Sequence, residues 1–225
     1  MAITLSSTKG LHSNGVKMLV YGQAGAGKTS LIPTLPNPVV LSAEGGLLSI
    51  ADADVSFIEI KDIDTLYEAY QWATQSSEAS HFQSICLDSI SEIAEVVLSA
   101  EKKKTKDPRQ AYGALIDVMG DLIRAFRDIE GKHVYMTAKV EKTQDEQNRI
   151  LYGPAMPGAR LAQQIGYFFD EVFALRVEKA EDGKNVRALQ CDTDGLWSAK
   201  DRSGKLEAWE LPDLGDIIKK IGGES

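Results

Sequence analysis

The stretch Gly22-Gln23-Ala24-Gly25-Ala26-Gly27-Lys28-Thr29 fits the pattern G-x-x-x-x-G-K-[ST] and directly follows a short apolar run at 17–21 (KMLVY). Glycines at this spacing let successive backbone N–H groups turn inward around an anion. The Lys28 ammonium then reaches the outer oxygens of a polyphosphate, and the Thr29 hydroxyl suits Mg²⁺. A helix is predicted to open at Thr29-Ser30, its N-terminus adding positive field. Strand, glycine-rich turn and helix begin a βαβ unit, which predicts an α/β fold built on a parallel sheet. The candidate phosphate-binding residues are Gly22, Gln23, Ala24, Gly25, Ala26, Gly27, Lys28, Thr29 and Ser30.

Outward from this turn the alternation continues. Apolar runs predict strands at 39–42, 55–60, 82–87 and 132–137. Between them, helical spacing of apolar residues predicts helices at 62–77, 89–103 and 112–129. From 139 to 158 the chain is polar with Gly and Pro, a long loop or ragged hairpin, and 159–168 reads as a short helix. The runs 171–177 and 186–191, joined through Asp182-Gly183, predict an antiparallel hairpin. A further strand at 197–201 and a closing helix at 214–221 complete the pattern. The expected fold is α/β, a mostly parallel central sheet flanked by helices with an antiparallel C-terminal hairpin extension. A polar tail over 1–15 would precede one domain over 16–225.

Composition narrows the function classes. With 43% hydrophobic and 26% charged residues the chain is globular rather than disordered, and 225 residues suffice for one substantial core. A net charge of −8 repels polyanions, so any nucleic acid must meet a local basic patch. Cys86 and Cys191 lie in apolar runs and read as buried thiols of a reducing compartment. The N-terminal residues lack a basic segment followed by an apolar one, and no apolar stretch approaches a membrane span. A cytoplasmic protein with no membrane partner is expected. His12, His81 and His133 show no ligand spacing, and Trp72, Trp197 and Trp209 read as packing residues.

Two carboxylates complete the candidate site. Asp88 ends the buried run Ile85-Cys86-Leu87, where a carboxylate holds the metal's water shell; it would also cap the following helix. Glu44 follows the strand at 39–42. If that strand neighbours 17–21, its carboxylate overhangs the terminal phosphate as the base that activates water, with Gly45-Gly46 turning behind it; an exposed loop glutamate is the other reading.

Taken together, the Gly22–Thr29 turn, Val40-Leu41-Ser42-Ala43-Glu44 and Ile85-Cys86-Leu87-Asp88-Ser89-Ile90 resemble the RecA-like P-loop ATPases. The likeness covers about residues 16–205 and is strongest toward compact phage RecA-like nucleotide-binding and single-strand annealing proteins. It implies ATP and Mg²⁺ as cofactors and assigns water activation to Glu44, matched by the Ala43-Glu44 pair. It also implies a homo-oligomer with nucleotide near subunit interfaces. The family's late Lys-x-Lys pair, which reaches a neighbouring subunit's γ-phosphate, is approximated by Lys200-Asp201-Arg202. Lys28, Glu44, Lys200 and Arg202 are thus the catalytic candidates, with Thr29 and Asp88 for the metal. The sequence departs from the family in three places. Thr137 or Lys139 stands where a sensor glutamine is usual, no amphipathic N-terminal helix is evident, and no appended C-terminal domain is expected.

In RecA-type proteins two loops contact single-stranded DNA. Their counterparts here contain Lys102, Lys103, Lys104, Lys106 and Arg109 in one stretch, and Lys139, Lys142, Arg149 and Arg160 in the other, with Tyr152 as a stacking surface. A solvated helix C-terminus is the simpler account of the lysine run. Three other classes remain open: a nucleotide kinase, disfavoured because Arg149 is the only arginine of the 139–158 segment; a GTP switch, which lacks an Asn-Lys-x-Asp segment; and a non-hydrolysing nucleotide-dependent scaffold.

Overall fold

The computed structural model describes residues 14–222. Residues 1–13, most of the expected polar tail and His12 with it, lie outside the described residues. Among the described residues, nine further strands follow β1 (Lys17–Gly22) in one ten-stranded sheet. They are β2 (Pro38–Ser42), β3 (Ser56–Glu59), β4 (Ser84–Asp88), β5 (His133–Gln144), β6 (Ile150–Pro154), β7 (Glu171–Lys179), β8 (Asn185–Gln190), β9 (Lys200–Asp201) and β10 (Trp209–Glu210). The main path runs β10-β8-β7-β1-β5-β4-β2-β3; β6 pairs with β5 and β9 with β7. From β3 to β7 the neighbours are parallel. Beyond β7 they are antiparallel, as the expected C-terminal hairpin requires.

The strand alternation sorts side chains to two faces. Leu19, Tyr21, Leu41, Leu87 and Met136 point to one face, covered by α1 (Ile63–Gln75), α2 (Ile90–Lys104), α3 (Pro108–Arg127) and α4 (Ala159–Gln164). Met18, Val20, Val40, Cys86 and Tyr135 point to the other, under the 3₁₀ segment Thr29–Thr34 and α5 (Leu214–Gly222). Capping residues set the starts: Asp62, Ser89 and Asp107 accept from backbone N–H groups of α1, α2 and α3. No helix among the described residues is long and apolar enough to cross a membrane.

Two expectations fail. The helix predicted after the glycine-rich turn does not form an α-helical ladder; it is a 3₁₀ segment of 6 residues containing Pro33. Proline supplies no N–H, and its ring would collide with the Thr29 carbonyl in an α-helical ladder, so the tighter turn is what the sequence permits. Nor does β2 neighbour β1. Both edges of β1 are taken, by β5 and β7, and β5 and β4 stand between β1 and β2.

Of the two readings of 139–158, the hairpin is the one formed. β5 continues past Lys139, its partner at the end of β1, and folds back as β6. On the other side of β1, β7 continues beyond Ala174, the partner of Tyr21, and folds back as β8. Two hairpins therefore stand on either side of the turn that leaves β1.

Candidate nucleotide-binding site

Gly25 and Gly27 adopt φ of 75° and 104°, backbone that side-chain-bearing residues rarely enter, and this bends 22–27 into the expected cradle. The buried Tyr135 donates its hydroxyl to the Lys28 carbonyl at 2.8 Å and props the loop from below. The Lys28 ammonium folds back onto the carbonyls of Gly22 and Gln23 at 3.0 and 3.1 Å. Burial lowers its pKa, an effect offset in part by the nearby Glu44 and Asp88 carboxylates.

Asp88 sits at the centre of a chain of oxygens. The Thr29 hydroxyl donates to its Oδ2 at 2.8 Å, and Thr137, fully buried on β5, donates to its Oδ1 at 2.5 Å. Ser42, paired with Asp88 across β2 and β4, keeps a buried hydroxyl with no partner among the described residues. An all-oxygen set with spare capacity suits a hard cation that keeps several waters, so these residues fit Mg²⁺. Thr137 thus supports the carboxylate, while Lys139 pairs with Glu92 at 2.7 Å.

Glu44 reaches the site by a route other than the one expected. The backbone N–H of Ala43 donates to the Asp88 carbonyl at 2.9 Å, extending the β2–β4 ladder past Ser42. The Ser89 hydroxyl then donates to Glu44 Oε1 at 2.6 Å. Lys28, Thr29, Asp88 and Glu44 are therefore brought together. Ser30 lies exposed at the outer side of the turn.

Lys200 and Arg202 are not brought to this chain's loop. They lie beside the N-terminal end of β7, whereas the loop flanks its other half. The Lys200 ammonium donates to the Gly166 and Phe169 carbonyls at 2.7 and 2.5 Å, and Arg202 pairs with Asp170 at 2.8 Å.

The basic residues are also scattered. Lys102, Lys103 and Lys104 form the last turn of α2, which leaves the phosphate end and runs 15 residues, about 22 Å, to the far side. There Lys104 pairs with Glu101 at 2.6 Å and Lys102 lies 5.7 Å from the Tyr112 ring. Lys106 and Arg109 surround the start of α3. Lys142 is on the β5–β6 hairpin, Arg149 in its turn pairs with Asp145 at 2.6 Å, and Arg160 is exposed on α4. One face of the Tyr152 ring is taken by Trp197, stacked on it at 4.4 Å. Sequence reading missed Ser89, Thr137's contact with Asp88, and Arg187 of β8, whose Nε donates to the Ala26 carbonyl inside the loop at 2.9 Å. No local signal marks them, since each contact spans 45 to 161 residues.

The family model "AAA domain" matches residues 14–203. The chain belongs to that family. It is accordingly a nucleotide-binding domain of the P-loop ATPase kind, and the AAA match spans the loop, Glu44, Asp88 and both hairpins. No curated protein matches the chain. Among solved structures, a KaiC-like protein from the hyperthermophilic archaeon Pyrococcus horikoshii OT3 is similar over 78% of this chain and 77% of that one. Its TM-score is 0.44 and its identity 12%, a likeness too loose to carry functional weight.

Proposed function

We propose that this AAA domain hydrolyses Mg-ATP at the Gly22–Thr29 loop. The observation that carries the reading is the Thr29–Asp88 hydrogen bond, which joins the loop's hydroxyl to a buried strand-end carboxylate across 59 residues. In this reading Lys28 releases its two loop carbonyls for the β- and γ-phosphate oxygens. Thr29 and Asp88 would hold Mg²⁺, which would supply charge neutralisation during phosphoryl transfer. Glu44, oriented by Ser89, accepts the proton of the attacking water.

The test is phosphate release with Mg-ATP for the wild type and Glu44→Gln. The variant should bind ATP within a few-fold of wild type yet turn over about 10²–10³-fold more slowly. Unchanged turnover would remove Glu44 from the mechanism. The finer reading, a single-strand annealing protein of phage type, rests on the family resemblance. The basic last turn of α2, Lys102 to Lys104, supports it, so the same assay is run with single-stranded DNA. Stimulation lost in a Lys102/Lys103/Lys104→Ala variant would favour it. Lys200 and Arg202 serve only in an oligomer with nucleotide between subunits, where both must leave their present bonds.

A further inference from the structure

The loop has two flanks, and they differ in chemistry. Asp88, Thr137, Ser42 and Glu44 all lie on the β5–β4–β2 side of β1, so the metal and the terminal phosphates belong there. The β7–β8 hairpin stands on the opposite side of β1, the side left for the rest of a nucleotide whose terminal phosphates meet the carboxylates. Arg187 of that hairpin reaches the loop. Arg187 Nε is bonded to the Ala26 carbonyl, and its side chain lies so close over Gly27 that a Cβ there would come within 3.3 Å of Nε and 3.5 Å of Cδ. Its terminal guanidinium nitrogens hold no hydrogen-bond or ion-pair partner among the described residues, whereas Arg176 on the same hairpin is engaged by Gln190 and Glu178.

We propose that Arg187 is a nucleotide-binding residue of this site, acting within its own chain. Anchored by Nε, it presents its two free nitrogens to the α-phosphate at the nucleoside end of the bound nucleotide. The proposal rests on the nucleotide reading above. A planar fork held at one corner is pre-organised for a phosphate, and a charge-assisted pair there strengthens binding of any nucleotide with an α-phosphate. It has no contact with the γ-phosphate and so adds affinity without adding rate.

Calorimetry of wild type, Arg187→Gln and Arg187→Lys with Mg-ATP, Mg-ADP and Mg-pyrophosphate tests this, since pyrophosphate fills only the β and γ positions. Arg187→Gln should weaken ATP and ADP by about tenfold or more, as expected for one charge-assisted hydrogen bond. Pyrophosphate should stay within about twofold and kcat at saturating ATP within about threefold, with Arg187→Lys recovering part of the loss. Equal weakening of all three ligands would make Arg187 a brace for the loop and overturn the proposal. Unchanged affinities, or a collapse of kcat alone, would overturn it too. Failure of the wild type to bind any of the three would instead remove the nucleotide reading itself, and this proposal with it.

Discussion

Lys17 opens β1 and Lys28 closes the loop into which β1 leads, and the two ammonium groups are superficially alike. Each rests on backbone carbonyls, and burial lowers the pKa of each, that of Lys17 to about 8. Their partners differ in origin. Lys17 gathers the carbonyls of Asn14, Ile129 and Lys132 at 3.1, 2.9 and 2.6 Å, stapling together segments more than a hundred residues apart. Lys28 touches only its own loop, with two carboxylates facing it. The first is a structural tie that no ligand could replace. The second, in the proposed function, is a parked cation that a polyphosphate takes over. A perturbed lysine therefore does not mark a site by itself; the source of its partners does.

The largest expected effect separates the two lysines directly. Lys28→Ala should weaken Mg-ATP by at least about 100-fold, roughly 2.7 kcal/mol, because a charge-assisted contact is lost in a partly dry site. Its unfolding midpoint without nucleotide should barely move. Lys17→Met should do the reverse, costing about 2–4 kcal/mol of stability as buried carbonyls lose their donor, with ATP affinity unchanged in the folded fraction. Paired calorimetry and urea unfolding check both. If the two variants behave alike, the contrast drawn from their partners fails.

The same foot of the sheet holds a second buried group. Glu171, on β7 beside Lys200 and Asp201, is 1% exposed, and its Oε2 has no hydrogen-bond partner among the described residues. Burial, and then the Asp201 charge, push its pKa from 4.5 to about 8. Between these values the folded state binds more protons than the unfolded state, so stability falls as pH rises from about 4.5 to 8. Glu171→Gln should flatten that decline and gain on the order of 3 kcal/mol at pH 7, read from urea midpoints across pH. ATPase rates should not follow. A wild-type stability that stays level over this window would show that the carboxyl ionises without cost.

What the sequence made legible follows how locally each feature is encoded. The glycine turn and Asp88 were readable because strand, turn and ligand are contiguous, and the helices at 62–77 and 89–103 because their apolar spacing is strong. Sheet order was not, since apolar runs at 17–21 and 39–42 say nothing of which strands come between them. Pro33 sets the 3₁₀ form of the segment after the turn, a local signal that the motif pattern does not contain. Lys200 and Arg202 matched a spacing whose purpose depends on a neighbouring subunit, and within the chain the same spacing serves Asp170 and two carbonyls. Arg187 and Ser89 had no pattern at all, because only the folding of the hairpin and of β2 against β4 brings them to the loop.

Thr137 provides the finest test of the contrast between ligand-replaceable and structural partners, since it belongs by burial to the core and by contact to the site. It is fully buried on β5, yet its hydroxyl serves the carboxylate that Thr29 also holds. If its task is to fix that carboxylate for the cation, Thr137→Val, nearly the same in shape, should weaken apparent Mg²⁺ affinity in the ATPase assay by about tenfold, as supporting contacts around metal ligands do. Saturating Mg²⁺ should restore kcat to within a few-fold, and Thr137→Ser should restore the wild-type Mg²⁺ curve. A merely structural hydroxyl would instead lower the unfolding midpoint and leave the Mg²⁺ dependence where it was. That outcome would place Thr137 with Lys17 rather than with Lys28, because Asp88 would then keep its orientation from Thr29 and the end of β4 alone.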